Sequence, residues 1–234
     1  MTRSFEQIYA REAQRYDRLV SREDQRGSLF AALDEIAPFS GLRVADLGAG
    51  TGRMTRLLAL LAREVIALDA SHHMLSEAQA RLEESGFTNW RLVQAQNEAL
   101  PLPTASVDLV VEGWSFAHAV GWHPEGWRRI IDQMLSEARR ILRPGGTLVL
   151  IETLGTGSKQ PHPPSEGLAA LYRYWQEEQG FQHRWIRTDY QFETLDEAEE
   201  LTRFFFGDEL ADRVRRERLL ILPECTGIWW QRVG

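Results

Sequence analysis

Apolar and polar positions follow a strand-then-helix order over the first two thirds of the chain. Short apolar runs predict buried strands at 42–47, 64–69, 90–94, 107–112 and 147–153. Between them apolar residues recur at helical spacing, most clearly over 125–142, and Pro144-Gly145-Gly146 ends that helix. Alternating strands and helices with short connections predict a doubly wound, mostly parallel α/β sheet with right-handed crossovers.

The N-terminal segment differs from this core. Residues 2–37 place apolar and aromatic side chains on one helix face, with a break near Ser21 and a stop at Pro38. We therefore expect a helical cap over 1–40 in front of a core at 41–153. The pattern indicates one domain over 1–234, since this length suits one substantial core.

The C-terminal segment, 154–234, is predicted to add a lid insertion and the last two strands. Prolines and glycines over 155–166 indicate a loop, and a helix is expected at 168–179. Strands are expected at 183–192 and, interrupted at Pro223, near the end of the chain. Thr194-x-x-Glu197 predicts a capping box at the start of another helix.

Composition narrows the class of protein. The net charge of −7 argues against a nucleic-acid partner, because such proteins usually present a basic surface. Cys225 is the single cysteine, which predicts a reducing compartment without disulfides. The first 25 residues are polar, and the longest apolar run, 57–62, is too short to span a membrane. We expect a cytoplasmic protein with no membrane partner.

The first strand enters a glycine turn, which is the most informative local feature. Gly48, Gly50 and Gly52 alternate, and without Cβ atoms such a turn adopts positive φ and admits a ligand against its backbone. The carboxyl end of a parallel strand is where open α/β folds hold nucleotides. The dinucleotide fingerprint needs a third small residue where this chain has Arg53. Asp46, two places before the first glycine, would also oppose a diphosphate and favour a cationic ligand.

Four motifs together resemble class I S-adenosylmethionine-dependent methyltransferases. The run from Asp46 to Gly52 resembles their first motif, and 66–75, with Asp69 and Met74-Leu75, is similar to G-x-D-x-S-x-x-M-L. The stretch 97–111 resembles a third motif, and 142–149 looks like the L-x-P-G-G turn. The matches run in order from about 41 to 153. A strand–turn–helix that merely needs glycines is the competing interpretation.

The resemblance implies a seven-stranded Rossmann-like sheet that binds S-adenosyl-L-methionine and transfers its methyl group in line to an O, N or C nucleophile of a small molecule. No metal is implied. Asp69 would accept hydrogen bonds from the ribose hydroxyls, and Gln96, where the family has an aspartate, would accept one from the adenine amine. Tyr16 would cap the methionine end, unless it only packs in the core. The implied cofactor-binding residues are Tyr16, Asp46, Gly48, Ala49, Gly50, Gly52, Asp69, Ala70, Met74, Gln96, Asn97 and Glu112.

Three residues are candidates for a general base, if the reaction uses one. They are Glu112, His118 and His123, at and after the end of the fourth strand. For each of them the competing interpretation is a packed or solvated side chain without a catalytic role. Two other functions stay open at this point. One is an NAD(P)-dependent oxidoreductase on a similar sheet, and the other is an S-adenosylmethionine-binding regulator without transfer activity. The sequence alone does not name the acceptor or the oligomeric state.

Overall fold

The computed structural model describes residues 5–234. Its strands, numbered along the chain, are β1 (Arg43–Leu47), β2 (Glu64–Asp69), β3 (Trp90–Gln94), β4 (Val107–Gly113), β5 (Leu142–Thr156), β6 (Gln182–Arg187), β7 (Tyr190–Gln191), β8 (Ile221–Leu222) and β9 (Glu224–Arg232). The helices are α1 (Phe5–Arg11), α2 (Ala13–Val20), α3 (Ser28–Ile36), α4 (Arg53–Ala59), α5 (His72–Glu84), α6 (His118–Trp122), α7 (Trp127–Ile141), α8 (Glu166–Arg173), α9 (Leu195–Phe206) and α10 (Asp208–Glu217). A π-helical turn, Tyr174–Glu178, continues α8.

Seven strands form one sheet in the order β3-β2-β1-β4-β5-β9-β6. Neighbours among β1 to β5 are parallel, whereas β9 is antiparallel to both β5 and β6. The reversal of strand order between β1 and β4 opens a crevice at their carboxyl ends, which is where ligands bind in such sheets. The predicted doubly wound, mostly parallel seven-stranded sheet is confirmed.

Each face of the sheet buries its own apolar cluster. Alternate residues of β1, such as Val44, pack toward α3 and α4, while Ala45 and Leu47 pack toward α7 and α8. A third cluster joins Leu19 of α2 to residues of α9, α10, β7 and β8. The N-terminal helices and the C-terminal segment therefore cover the carboxyl edge of the sheet together.

Several predicted bounds are confirmed. The strands at 64–69 and 90–94 agree in full, and Ser71 caps α5 by accepting the N–H of Met74. Thr194 caps α9 by accepting the N–H of Glu197 at 3.1 Å. The last strand runs over 224–232, beyond the interruption at Pro223.

Other predicted bounds are wrong. The expected helix over 2–37 divides into α1, α2 and α3, with an additional break at Glu12, and residues 2–4 lie outside the described part. Residues 183–192 do not make one strand. The chain leaves β6 after Arg187, because the Asp189 side chain accepts the N–H of Glu224 at 3.0 Å and its carbonyl accepts the N–H of Asp24 at 3.1 Å. Tyr190 and Gln191 then pair with Leu222 and Ile221 in a separate ribbon.

The helix and strand on either side of the Pro144 turn also differ from expectation. Helix α7 begins at Trp127 rather than 125, and β5 begins at Leu142 rather than 147. Leu142 pairs with Val107 before a register shift, so the turn interrupts β5 near its start instead of preceding it. Within residues 5–234 no helix has the length and apolar character needed to cross a bilayer.

Candidate active site

A cleft of about 260 Å³ lies at the carboxyl edge of the sheet, which we call the edge cleft. The turns after β1, β2, β3 and β4 form its floor, and the N-terminal helices close one side. Its lining includes Tyr9, Tyr16, Gly48, Gly50, Asp69, Ala70, Met74, Gln96, Asn97, Glu98, Trp114, Ser115, His118, Trp122 and His123.

The glycine turn has the backbone conformation that its sequence predicts. Gly48, Gly50 and Gly52 have φ of +66°, +54° and +80°, a region that side chains other than glycine rarely adopt. A Cβ at Gly48 would overlap the side chain of Ser115, and one at Gly52 would press on Ala78 at 3.3 Å. Gly48 and Gly50 face the edge cleft, whereas Gly52 and Ala49 do not line it and support the turn from behind.

Asp69 joins the ends of β1 and β2. Its Oδ2 accepts the N–H of Gly50 at 2.9 Å, and its Oδ1 accepts the N–H of Ser71 at 2.8 Å. Burial raises the pKa of Asp69, although both hydrogen bonds act in the opposite direction. A carboxylate has about four acceptor sites, so two remain for hydroxyl donors in the edge cleft.

Asn97 and Ser115 connect the turns after β3 and β4. The Asn97 Nδ2 donates to Ser115 Oγ at 3.2 Å, directly over Gly48. Gln96 also lines the edge cleft, and its carbonyl accepts the N–H of Ala99. Gln96, predicted to contact an adenine, and Asn97, predicted to bind the cofactor, therefore both line the cleft. Ser115 belongs to the site as well, a role that the sequence analysis did not assign.

Aromatic rings form the wall nearest the N-terminal helices. Tyr9 packs edge-on against Tyr16, with ring centroids 5.5 Å apart, and Trp122 stacks on His118 at 4.8 Å. Tyr16 comes within 4.0 Å of a Cβ built at Gly50, so its ring lies beside the glycine turn. Ring faces carry partial negative charge and suit a cationic ligand.

Asp46 does not reach the edge cleft. Its side chain is 1% exposed and accepts the hydroxyl of Thr55 at 2.5 Å, on the α4 side of the sheet. The cause is strand alternation, because Asp46 shares a face with Val44, which packs toward α4. Burial raises the pKa of Asp46 to about 7, partly opposed by Thr55. The expected direct contact between Asp46 and a ligand in the edge cleft is therefore corrected: Asp46 anchors α4.

Glu112 is also buried beneath the site rather than in it. Its Oε1 accepts the N–H groups of Ser115 and Phe116 at 2.6 and 2.9 Å, while Glu152 Oε1 accepts that of Ala117 at 3.1 Å. Burial raises the pKa of Glu112 to about 7, and burial with the neighbouring Glu112 charge raises that of Glu152 well above its usual value. The two carboxyls hold the turn that carries Ser115. Two roles were predicted for Glu112, a contact with the cofactor and a base that touches the acceptor. Both are corrected, because the side chain lies below the edge cleft and does not line it.

The two histidines differ in environment. Tyr9 Oη lies 3.0 Å from His118 Nε2, and burial lowers the pKa of His118 to about 4, so the imidazole is neutral at pH 7. Burial raises the pKa of Tyr9, which keeps its hydroxyl protonated. His123 is exposed at the rim of the edge cleft. Both histidines line the cleft, but His118 is a weak base there.

The charge of the edge cleft separates two kinds of nucleotide ligand. Among the lining residues that the structure describes there are two acids, Asp69 and Glu98, and no lysine or arginine. A dinucleotide diphosphate would find no cation to offset its charge, whereas a sulfonium with an amino group meets a carboxylate and ring faces. These residues thus fit S-adenosylmethionine.

Comparisons with known proteins agree with this geometry. The model of the Methyltransferase domain family matches residues 44–146. The malonyl-[acyl-carrier protein] O-methyltransferase of Methylococcus capsulatus is 33% identical over 171 residues, 72% of this chain and 54% of that protein. The demethylmenaquinone methyltransferase of Tropheryma whipplei is 31% identical over 154 residues, 64% of this chain and 59% of that protein. The chain thus spans between about half and three fifths of these relatives.

A solved structure supports the fold assignment. A S-adenosylmethionine-dependent methyltransferase from Aquifex aeolicus superposes with a TM-score of 0.57 at 16% identity, over 90% of this chain and 95% of that one. Such low identity speaks for the fold alone. The matched domain, the related sequences and this architecture together show that the chain belongs to the class I S-adenosylmethionine-dependent methyltransferase family.

Proposed function

We propose that this chain transfers a methyl group from S-adenosylmethionine to an O, N or C nucleophile of a small molecule. The observation that carries the proposal is the edge cleft itself, where Asp69 ties the glycine turn to β2 in a lining without lysine or arginine among the described residues. The family membership supports the same activity. When bound, S-adenosylmethionine supplies a methyl group on a sulfonium, whose C–S electron pair stays on sulfur as the acceptor's pair forms the new bond.

The residues of this chain would bind and align the reactants. Asp69 would accept from the ribose, Gln96 and Asn97 would face the adenine, and Tyr16 would exclude water above the glycine turn. Ala70 and Met74 line the same part of the edge cleft and would pack on the base. Alignment and desolvation suffice for in-line transfer to an acceptor that is already nucleophilic, so a general base is not required.

The small-molecule nature of the acceptor draws support from the names of the relatives. One acts on a malonyl group held by an acyl-carrier protein and another on demethylmenaquinone. Both names describe organic groups rather than nucleic acid. The net charge of −7 agrees with this, because nucleic-acid-binding proteins usually present a basic surface. Cytoplasmic location stays a prediction from composition.

Calorimetry with S-adenosylhomocysteine and NAD tests the cofactor. We expect S-adenosylhomocysteine to bind at micromolar or lower concentration and NAD not to bind, because the edge cleft offers its diphosphate no cation. Tight NAD binding without S-adenosylhomocysteine binding would instead support the oxidoreductase alternative.

A label-transfer screen tests the reaction. The protein is incubated with S-adenosylmethionine labelled on its methyl group and with small acids, phenols and amines, and transfer to at least one class is expected. If S-adenosylhomocysteine binds but no compound in the screen receives the labelled methyl group, the result would favour a regulator that has lost transfer activity.

A further inference from the structure

A partly buried arginine follows the glycine turn directly and retains an unused donor. Arg53 begins α4, and its Nη1 donates to Glu23 Oε2 at 2.6 Å. The guanidinium lies over the ring of Trp114, 4.5 Å from the centroid. Its Nη2 is buried and has no hydrogen-bond partner among residues 5–234. A buried charged donor without an acceptor is costly, so it needs an explanation such as a ligand.

A second unsatisfied atom belongs to Glu224, the first residue of β9. The side chain is 2% exposed, its Oε1 accepts the hydroxyl of Thr153 at 2.7 Å, and its Oε2 is buried without a partner among the described residues. Burial and the charge of Glu23 raise the pKa of Glu224 to about 8. At neutral pH the carboxyl is therefore largely protonated, and its free oxygen can donate a hydrogen bond.

Hydrogen bonds join these residues into one group, which we call the Arg53 cluster: Arg53, Glu23, Thr188 and Glu224. Glu23 Oε1 accepts the Thr188 hydroxyl at 2.8 Å, and the Thr188 N–H donates to the carbonyl of Glu224 at 3.1 Å. Glu224 begins β9 and Thr188 follows the end of β6, so the cluster lies at the carboxyl edge of the sheet.

The Arg53 cluster adjoins the edge cleft. Trp114 lines the edge cleft, and its ring lies under the guanidinium of Arg53. Trp114 also has a φ of +56°, a strained conformation for a bulky residue that is often associated with functional sites. The acceptor in a methyl transfer must approach the methionine end of the cofactor, and Trp114 connects the cluster to the edge cleft in which we expect that cofactor.

We propose that the Arg53 cluster is the acceptor subsite and that it binds an anionic oxygen, the carboxylate or phenolate of a small organic acid. Arg53 Nη2 would donate to that oxygen, and the Glu224 carboxyl would supply a second hydrogen bond. The guanidinium fork is suited to two acceptors at once, so Glu23 and the ligand can share it. An ammonium group has no lone pair to accept the hydrogen bond of Arg53 Nη2 and is disfavoured. The proposal rests on the methyltransferase function and names its acceptor class.

The experiment measures binding of simple probes to the full chain saturated with S-adenosylhomocysteine. Benzoate and malonate represent carboxylates, 4-nitrophenol, which ionises near neutral pH, represents phenolates, and benzylamine is the cationic probe of similar size to benzoate. All are observed by ligand-detected NMR at millimolar concentration and pH 8. We expect at least one acid to bind and benzylamine not to bind. Carboxylates alone would identify the carboxylate as the source of the anionic oxygen, and 4-nitrophenol alone would identify the phenolate.

Variants locate the binding. Arg53→Gln should weaken the bound acid at least tenfold and change the affinity for S-adenosylhomocysteine less than about twofold, because Arg53 does not line the edge cleft. Arg56→Gln is the matched control on the same helix. Its Asp17 partner, 3.5 Å away, keeps an ion pair with Arg81 at 2.9 Å, so this variant should leave both affinities unchanged.

Arg53→Gln leaves Glu23 buried without its cation, and if that variant does not fold, Arg53→Lys takes its place. A lysine keeps the charge beside Glu23 but lacks the second terminal NH₂ group of the guanidinium. The acid should therefore again bind at least tenfold more weakly. An acid affinity that Arg53→Lys and Arg53→Gln leave intact would overturn the proposal, as would selective binding of benzylamine or no binding of any acid. If S-adenosylhomocysteine itself does not bind the unaltered chain, the methyltransferase function fails instead.

Discussion

The carboxylate of Asp69 accepts the backbone N–H of Gly50 at 2.9 Å, so the acid at the end of β2 holds the glycine turn after β1. Its other oxygen accepts the N–H of Ser71, the cap of α5. One side chain therefore fixes two turns that form the floor of the edge cleft. Its remaining lone pairs face the place where we expect the ribose.

Asp69→Ala should weaken binding of S-adenosylhomocysteine at least tenfold, or about 1.4 kcal/mol. The variant loses the ribose acceptor and releases Gly50 and Ser71. Asp69→Asn keeps the shape and one acceptor oxygen, so a smaller loss is expected. Calorimetry on folded protein, checked by circular dichroism, measures both. If Asp69→Ala binds S-adenosylhomocysteine with unchanged affinity, Asp69 does not contribute to the binding site.

Gly48 lies so close to Ser115 that a Cβ at Gly48 would overlap the serine side chain. Gly48→Ala should lower the free energy of unfolding by about 3 kcal/mol or more, because the new Cβ overlaps Ser115 and the φ of +66° is unfavourable for alanine. Gly86→Ala is the control for φ alone. Gly86 has a φ of +72° with nothing within 4 Å of its Cβ position, and should cost about 1 kcal/mol.

A double variant separates overlap from backbone strain at Gly48. Adding Ser115→Gly to Gly48→Ala removes the overlapping side chain and should restore stability to the level of Gly86→Ala, as urea denaturation would show. If Gly48→Ala and Gly86→Ala are equally stable, the turn after β4 moves away freely and the contact is not a constraint.

The local patterns were sufficient for the core of this fold but not for contacts between distant turns. Strands β2 and β3 were predicted with their observed bounds because short apolar runs between turn residues indicate buried strands directly. The motifs likewise led to Gly48, Gly50 and Asp69. The Ser115 contact with Gly48 spans 67 positions, as the difference between residues 115 and 48 shows, and no local pattern encodes it.

Side-chain direction explains the main error at the site. Asp46 was expected at the ligand because of its place in the motif, yet the two-residue period of β1 turns it toward Thr55 and α4. Both faces of β1 are buried, so the alternation with Val44 does not by itself tell which face Asp46 shares. The closeness of Glu112 and Glu152 depends on the pairing of β4 with β5, which no local pattern encodes.

Glu112 should make stability fall as pH rises. In the unfolded chain its carboxyl ionises near pH 4.5, whereas in the folded protein burial raises its pKa to about 7, so the folded state holds a proton that the unfolded state has released. The free energy of unfolding should therefore decrease between about pH 4.5 and 7, by at most about 3 kcal/mol from this group.

Glu112→Gln tests that dependence. The amide does not ionise, and its oxygen can still accept from Ser115 and Phe116, so the variant should gain stability relative to the unaltered chain as pH rises to 7. Glu125→Gln, exposed before α7, is the control and should follow the unaltered chain. Urea denaturation at pH 5 and pH 8 measures the difference. A constant difference between the two pH values would contradict the buried, proton-holding carboxyl.

His118 should act on stability in the opposite direction. Burial lowers its pKa in the folded protein to about 4, whereas the unfolded histidine takes up a proton near pH 6.5. The unfolded state thus binds more protons between these values, and stability should be complete above about pH 6.5 and decline toward pH 4. His118→Asn removes the titration and should flatten that decline. His123→Asn, at the exposed rim of the edge cleft, should retain it. Thermal unfolding from pH 4.5 to 8 compares the three proteins, and a decline that survives His118→Asn unchanged would show that another group causes it.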